Sequence, residues 1–199
     1  MISLGRLTLT VLVLADAAYV LASVGADEHG HCRSGESVVF SCVTGRRIVS
    51  VCAAPPANDQ QRYLQYRYGI PGHPQLVLPS KDDPPGTNTD ALAYYNYIGD
   101  GNGYIRFRNG PYSYIVYAFS SRQSHATRHS APGWNNSHGV AIERNESIQK
   151  LLRCRPWQGV RSGIDPTFLA KTADFLATSD DGTETLERVN SAATRSRPR

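Results

Sequence analysis

The sequence predicts an all-β domain of about eight antiparallel strands in four hairpins, closed as a barrel or stacked as a sandwich, with a short C-terminal helix. The clearest observation is residues 104–119, where Tyr104, Arg106 and Arg108 alternate with Ile105 and Phe107, the chain turns at Asn109-Gly110, and a β-branched and aromatic run returns to Phe119. Alternation of period two on both sides of Asn-Gly is a strong hairpin signal, because primed turns need the positive φ that Gly and Asn adopt cheaply. The same layout recurs at 38–52, 63–78 and 140–154, with turns expected around Gly45, Gly69 to Pro74 and Asn145-Glu146. Finally, four cysteines with no Cys-x-x-Cys pair suit a disulfide-tied β scaffold better than a zinc site.

Residues 1–26 read as a secretory signal peptide: Arg6, an apolar run over 7–14, then small residues 22–26 ahead of Asp27-Glu28. The run is interrupted by Asp16 and is shorter than the roughly 20 residues of a spanning helix. No other stretch is suited to cross a membrane, so the chain is expected to be secreted or periplasmic. Residues 27–177 then form a single disulfide-tied β domain, long enough for a sizeable core.

Four cysteines allow three connectivities. Cys32 precedes the first hairpin and Cys52 ends it, which favours Cys32 with Cys52 and leaves Cys42 for Cys154.

Cys32-Arg-Ser-Gly-Glu-Ser-Val-Val-Phe-Ser-Cys42 and the return to Cys52-Ala53 resemble the opening of an uncharacterised group of secreted bacterial proteins with a Cys-flanked first hairpin and no assigned activity. The resemblance continues through residues 63–69, 104–110, 112–117 and 152–154. It implies export and a shared β fold, and it assigns no residue a role. Phe40-Ser-Cys42 with Gly45 is also similar to a stretch of periplasmic lysozyme inhibitors, which are small antiparallel barrels.

Between the second and third hairpins, residues 79–103 have loop composition, with 91–98 able to add an edge strand. The Asp100-centred cluster at 99–103 has one carboxylate, so a turn explains it better than calcium does. Residues 120–139 read as a long loop holding His125, His129, Trp134 and His138, where a ligand, a metal or the active site of a secreted hydrolase could sit. No carboxylate lies nearby, and a solvated loop is the plainer reading. After Cys154, Asp165 and Pro166 are placed to cap and start a helix carrying Phe168, Leu169, Ala173 and Leu176. Residues 178–199, rich in Ser, Thr, Asp and Arg, read as a disordered tail.

The net charge of +4 includes Arg6 and three arginines of the last five residues, so the domain itself is mildly basic. Arg62, Arg67, Arg106 and Arg108 lie among Tyr63, Tyr66, Tyr68, Tyr104 and Tyr112, a pattern able to stack on sugars and hold anionic groups. Cross-strand Tyr and Arg pairs on a half-exposed sheet account for the same pattern. Export argues against nucleic acid. No Gly-x-Ser-x-Gly, His-Glu-x-x-His or phosphate-binding glycine loop is present, so an enzyme is not the favoured reading. The expectation is a binding or inhibitor-like module for an envelope or extracellular protein or glycan, with Arg106, Arg108, Tyr104 and Tyr112 as candidate contacts. A secreted hydrolase and a structural envelope-associated protein are the alternatives. No cofactor is expected, with one exception at the mature N-terminus. Cleavage after Ala26 would place His29 third from a free amine, a nitrogen set that suits copper(II) or nickel(II).

Overall fold

Alternating side chains put every second residue of a strand on one face, and here that pattern builds two sheets back to back. The computed structural model describes residues 30–54, 63–80, 88–95, 101–122, 134–155, 161–162, 164 and 182–195. Its strands are β1 (Ser37–Thr44), β2 (Arg47–Ala53), β3 (Leu64–Ile70), β4 (His73–Leu78), β5 (Thr89–Tyr95), β6 (Gly101–Asn109), β7 (Tyr112–Arg122), β8 (Trp134–Arg144), β9 (Ser147–Arg153) and the two-residue β10 (Arg161–Ser162). The first sheet has the order β10-β1-β2-β3-β4 and the second β5-β6-β7-β8-β9, antiparallel throughout. The sheets do not close into one barrel; the fold is a sandwich.

Inward residues of both sheets share one core. Val39, Cys42, Val49, Val51, Leu64 and Tyr66 come from the first sheet, and Ala91, Ile105, Phe107, Val116 and Val140 from the second. The two expected disulfides are present, Cys32 with Cys52 and Cys42 with Cys154. The second joins the sheets: it ties the hairpin-turn end of β1 to the chain just past β9, where the Arg155 N–H also donates to the Val43 carbonyl at 2.9 Å. Cys154 follows the end of β9 remote from the turn that precedes it. The hairpin turns of the two sheets therefore point in opposite directions.

All four hairpins are found, with one shift. Asn109 pairs with Tyr112, so the loop is Gly110-Pro111 rather than Asn109-Gly110. Gly110 takes φ +57°, and Pro111 is restricted to negative φ, which selects the primed turn with a single positive-φ residue. In the last hairpin Asn145 and Glu146 both have positive φ, at 48° and 62°, the requirement of a type I′ turn.

Three expectations are corrected. Residues 101–103 begin β6 instead of forming a turn. The long loop at 120–139 is shorter than expected, because β7 runs to Arg122 and β8 starts at Trp134, pairing Arg122 with Trp134 and Ala118 with His138. The expected disordered tail holds a helix, α1 (Gly182–Arg195). Its polar composition conceals a stripe of Gly182, Thr185, Leu186, Val189 and Ala193 at helical spacing, all buried. The apolar surface that stabilises this helix comes from the sheet: Tyr104, Ile115, Tyr117, Phe119 and Ala141 on the outer face of the second sheet pack against it. The signal segment 1–26, His29, His125, His129 and the helix expected from Asp165 lie outside the described residues.

Each outer face of the sandwich thus carries a cover. Residues 30–36 lie over the first sheet and α1 lies over the second, which makes the second sheet a shared wall between two cores.

Candidate functional site

Burying a charge without a partner is costly, so buried arginines need carboxylates. On the first sheet Arg67, outward from β3, donates to both Glu36 carboxylate oxygens at 2.6 and 2.7 Å, to the His31 carbonyl at 2.8 Å and to Gln65 Oε1 at 2.8 Å. The Arg67 and Glu36 side chains are each 3% exposed. Burial alone would raise the Glu36 pKa, but hydrogen bonds from Arg67, Tyr63 and the Arg33 N–H outweigh it and hold the carboxyl below its ordinary range. The His31 N–H donates to Ser50 Oγ at 2.9 Å, and burial lowers the pKa of its ring.

On the second sheet Asp90 of β5 is the corresponding anchor. Arg106 reaches it with Nε at 2.9 and 3.0 Å and Nη2 at 2.9 Å, while Arg108 reaches it at 2.5 Å from a side chain 44% exposed. Arg106 also donates to Thr185 of α1 at 3.1 Å, and Arg188 of α1 pairs with buried Glu143 at 3.0 Å.

These contacts correct the expected Tyr and Arg face. Tyr104 is fully buried and Arg106 is 3% exposed, both on the outer face of β6 beneath α1. They hold the helix on the sheet and offer no open stacking surface. Arg67, from the same pattern, is likewise buried. Of the four residues singled out there, only Arg108 and Tyr112 are accessible.

The other tyrosines of that pattern divide between the core and the ends of the sandwich. Across the core, the Tyr66 ring meets Tyr114 of β7 at 5.6 Å and Phe107 at 5.7 Å. Tyr68 lies two residues further along β3 and Tyr112 two residues back along β7, and because the sheets point their turns oppositely, the two extend away from the centre in opposite directions. Arg47 sits over Tyr68 at 5.5 Å, and Arg144, directly opposite Tyr112 in the ladder, sits over that ring at 5.7 Å. The ring contacts therefore run through the core between the sheets and leave two separate pairs, Arg47 with Tyr68 and Arg144 with Tyr112, at opposite ends of the sandwich. Tyr66 is fully buried in the core, Tyr68 and Tyr114 are half-buried against it, and Tyr112 and both arginines are exposed. Burial raises the pKa of the Tyr66 and Tyr114 hydroxyls, so both stay neutral. The Tyr66 hydroxyl has no hydrogen-bond partner among the described residues.

Alternation along a single strand could not show the Tyr112 and Arg144 pair. Arg144 lies in a strand without tyrosine, and its pairing with Tyr112 becomes visible only once the register of β7 on β8 is known.

The histidines do not assemble among the described residues. His138 lies within β8, half-buried, with its pKa lowered by burial. Trp134 is the first residue of that strand. Cys32, Cys52 and Glu36 lie close enough to hold a metal ion, but the sulfurs are joined to each other and the carboxylate to Arg67. A shallow hollow on α1, lined by Asn190, Ser191, Thr194 and Arg195, adjoins none of these groups. No helix among the described residues is long and apolar enough to cross a membrane. No protein family, curated protein or solved structure matches the chain.

Proposed function

We propose that the protein is an exported binding module, secreted or periplasmic, that recognises an envelope or extracellular partner through the exposed Tyr112 and Arg144 pair beside the β6–β7 turn. One contrast carries this reading. Buried Arg67 and Arg106 and half-buried Arg188 are each matched to a carboxylate, whereas exposed Arg144, stacked on the exposed Tyr112 ring, has no carboxylate partner among the described residues. A cation stacked on an exposed tyrosine face favours ligands that combine a flat apolar face with negative charge. Two disulfides support an oxidising compartment.

The test is retention. Immobilised protein, oxidised and purified after export, should capture envelope glycans or extracellular proteins, and a Tyr112→Ala/Arg144→Ala variant should lose that capture. Both side chains are exposed, so the variant's thermal midpoint should stay within a few degrees of the parent's. Equal capture by a folded variant refutes the site.

A further inference from the structure

We infer that the end of the sandwich opposite Tyr112 and Arg144 docks on an anionic phospholipid bilayer, Ile70 entering the headgroup layer while Arg46, Arg47 and Arg155 meet lipid phosphates. The topology builds this surface. β1 and β2 are joined at Gly45-Arg46 and β3 and β4 at Pro71-Gly72, and because β2 pairs antiparallel with β3, the two turns emerge side by side. Neighbouring strands lie about 4.8 Å apart, so the turn apices stand about 10 Å from each other. Gly45 and Gly72 take φ of +66° and +76°, and a Cβ at either would meet no atom of the described residues within 4 Å. Both tips therefore stand free of the body. Ile70 is 44% exposed, more than any other large apolar side chain among the described residues, and Pro71 beside it is also exposed. Arg47 precedes Ile48, the residue paired with Gly69, which sets it alongside Ile70. Arg46 is exposed at the neighbouring turn, and exposed Arg155 is fixed close by through its N–H bond to the Val43 carbonyl. No carboxylate of the described residues pairs with any of these three arginines.

An aliphatic side chain among cations favours a bilayer over a soluble polyanion. Ile70 gains nothing from a polymer of charges, but it leaves water on entering the boundary between headgroups and acyl chains. Each arginine held near an anionic bilayer strengthens attachment about fivefold, so three of them with one apolar anchor suit a weak, reversible and salt-sensitive contact. Tyr68, packed against the core and covered by Arg47, leaves no open ring for a base or a sugar to stack on. Addition of a peptide strand at the adjacent sheet edge is opposed by Pro74 of β4, which has no N–H to donate, and by the register shift next to Gly69. Docked by these tips, the molecule turns Tyr112 and Arg144 away from the bilayer. Vesicle binding is thus independent of that pair, and the two readings can fail separately.

The test is flotation of the whole oxidised protein with vesicles of phosphatidylglycerol and phosphatidylcholine in equal parts, set against vesicles of phosphatidylcholine alone. The protein should float with the anionic vesicles at low salt and not with the neutral ones, and about 0.5 M salt should release it. Arg46→Ser and Arg47→Ser should each weaken binding about fivefold, and Ile70→Ser by at least as much. Ile70→Trp, which places an interfacial side chain at the same tip, should strengthen it. All three positions are exposed, so thermal midpoints should stay within a few degrees of the parent's. The Tyr112→Ala/Arg144→Ala variant should float as the parent does. No flotation with anionic vesicles, equal flotation with neutral ones, or an Ile70→Ser variant that binds like the parent would overturn the inference. Capture by dextran sulfate without binding to anionic vesicles would replace the bilayer by a soluble polyanion. Loss of flotation in the Tyr112 and Arg144 variant would move the contact to the other end of the sandwich, which also overturns it.

Discussion

Arg106 and Arg108 lie two apart on β6 and share the Asp90 carboxylate, yet their loss should differ sharply. Arg106→Ser removes three contacts of 2.9 to 3.0 Å from a carboxylate whose side chain is 2% exposed, and it also strips the bond to Thr185 that ties α1 to the sheet. Breaking a buried pair from one side costs about 3–5 kcal/mol, and because Arg108 still reaches Asp90 the lower end applies, about 3 kcal/mol. Arg108→Ser removes a contact from a side chain 44% exposed, where solvent screening leaves at most about 1 kcal/mol. Urea denaturation with the disulfides intact is the assay. With a slope of about 2 kcal/mol per molar, the Arg106 variant should unfold at about 1.5 M lower urea and the Arg108 variant within about 0.5 M of the parent. Equal midpoints for the two variants would refute the assignment of Arg106 as a buried structural anchor.

Glu146→Gly should raise stability by about 0.5–1 kcal/mol, since a glycine relieves the φ of +62° that a glutamate adopts at a cost; a lower thermal midpoint would argue against the type I′ turn. Acid should destabilise the fold in two steps. His31 is held neutral by burial with its pKa below the ordinary 6.5, so the unfolded chain binds more protons in that window and stability present above about pH 6.5 is lost as pH falls. His138 acts in the same direction. Glu36, depressed below 4.5, contributes stability present above that value and lost as pH falls through its folded pKa; Glu36→Gln should flatten this lower step alone, and urea midpoints unchanged from about pH 7 to 3 would contradict the account. Replacing the Cys42 and Cys154 pair by Ala, which opens a loop of sequence separation 112, should cost about 5 kcal/mol on the chain-entropy account, against about 3 for the Cys32 and Cys52 pair at separation 20. Denaturation of the two double variants compares them, and the reverse order would discount loop entropy.

The hairpins were legible because their signals are local: Gly45, Gly110 and Asn145 mark turns within a few residues of the strands they join. Cys32 and Cys52 could be paired for the same reason. The role of Arg106 could not be read locally, since an alternating Tyr and Arg strand looks alike whether its polar face meets water or a helix. What decides between them is Thr185, 79 residues away. That helix was missed because its buried stripe depends on glycine, threonine and alanine, small residues that carry little apolar signal, beside Leu186 and Val189. Asp90 and Glu36 gave no hint of their importance, as a carboxylate destined for burial has no sequence mark of its own. The histidines near 125–138 suggested a cluster through proximity in the chain, but His138 belongs to a paired strand whose alternation is diluted by Asn135, Asn136 and Ser137.

Because α1 lies after every strand it covers, synthesis from the N-terminus delivers the second sheet before the lid that dries it. In that interval Ile115, Phe119 and the Asp90 carboxylate face solvent together. A chain halted or clipped ahead of residue 182 keeps that greasy, charged wall on display, and so carries a surface by which proteases and chaperones can tell an unfinished molecule from a complete one.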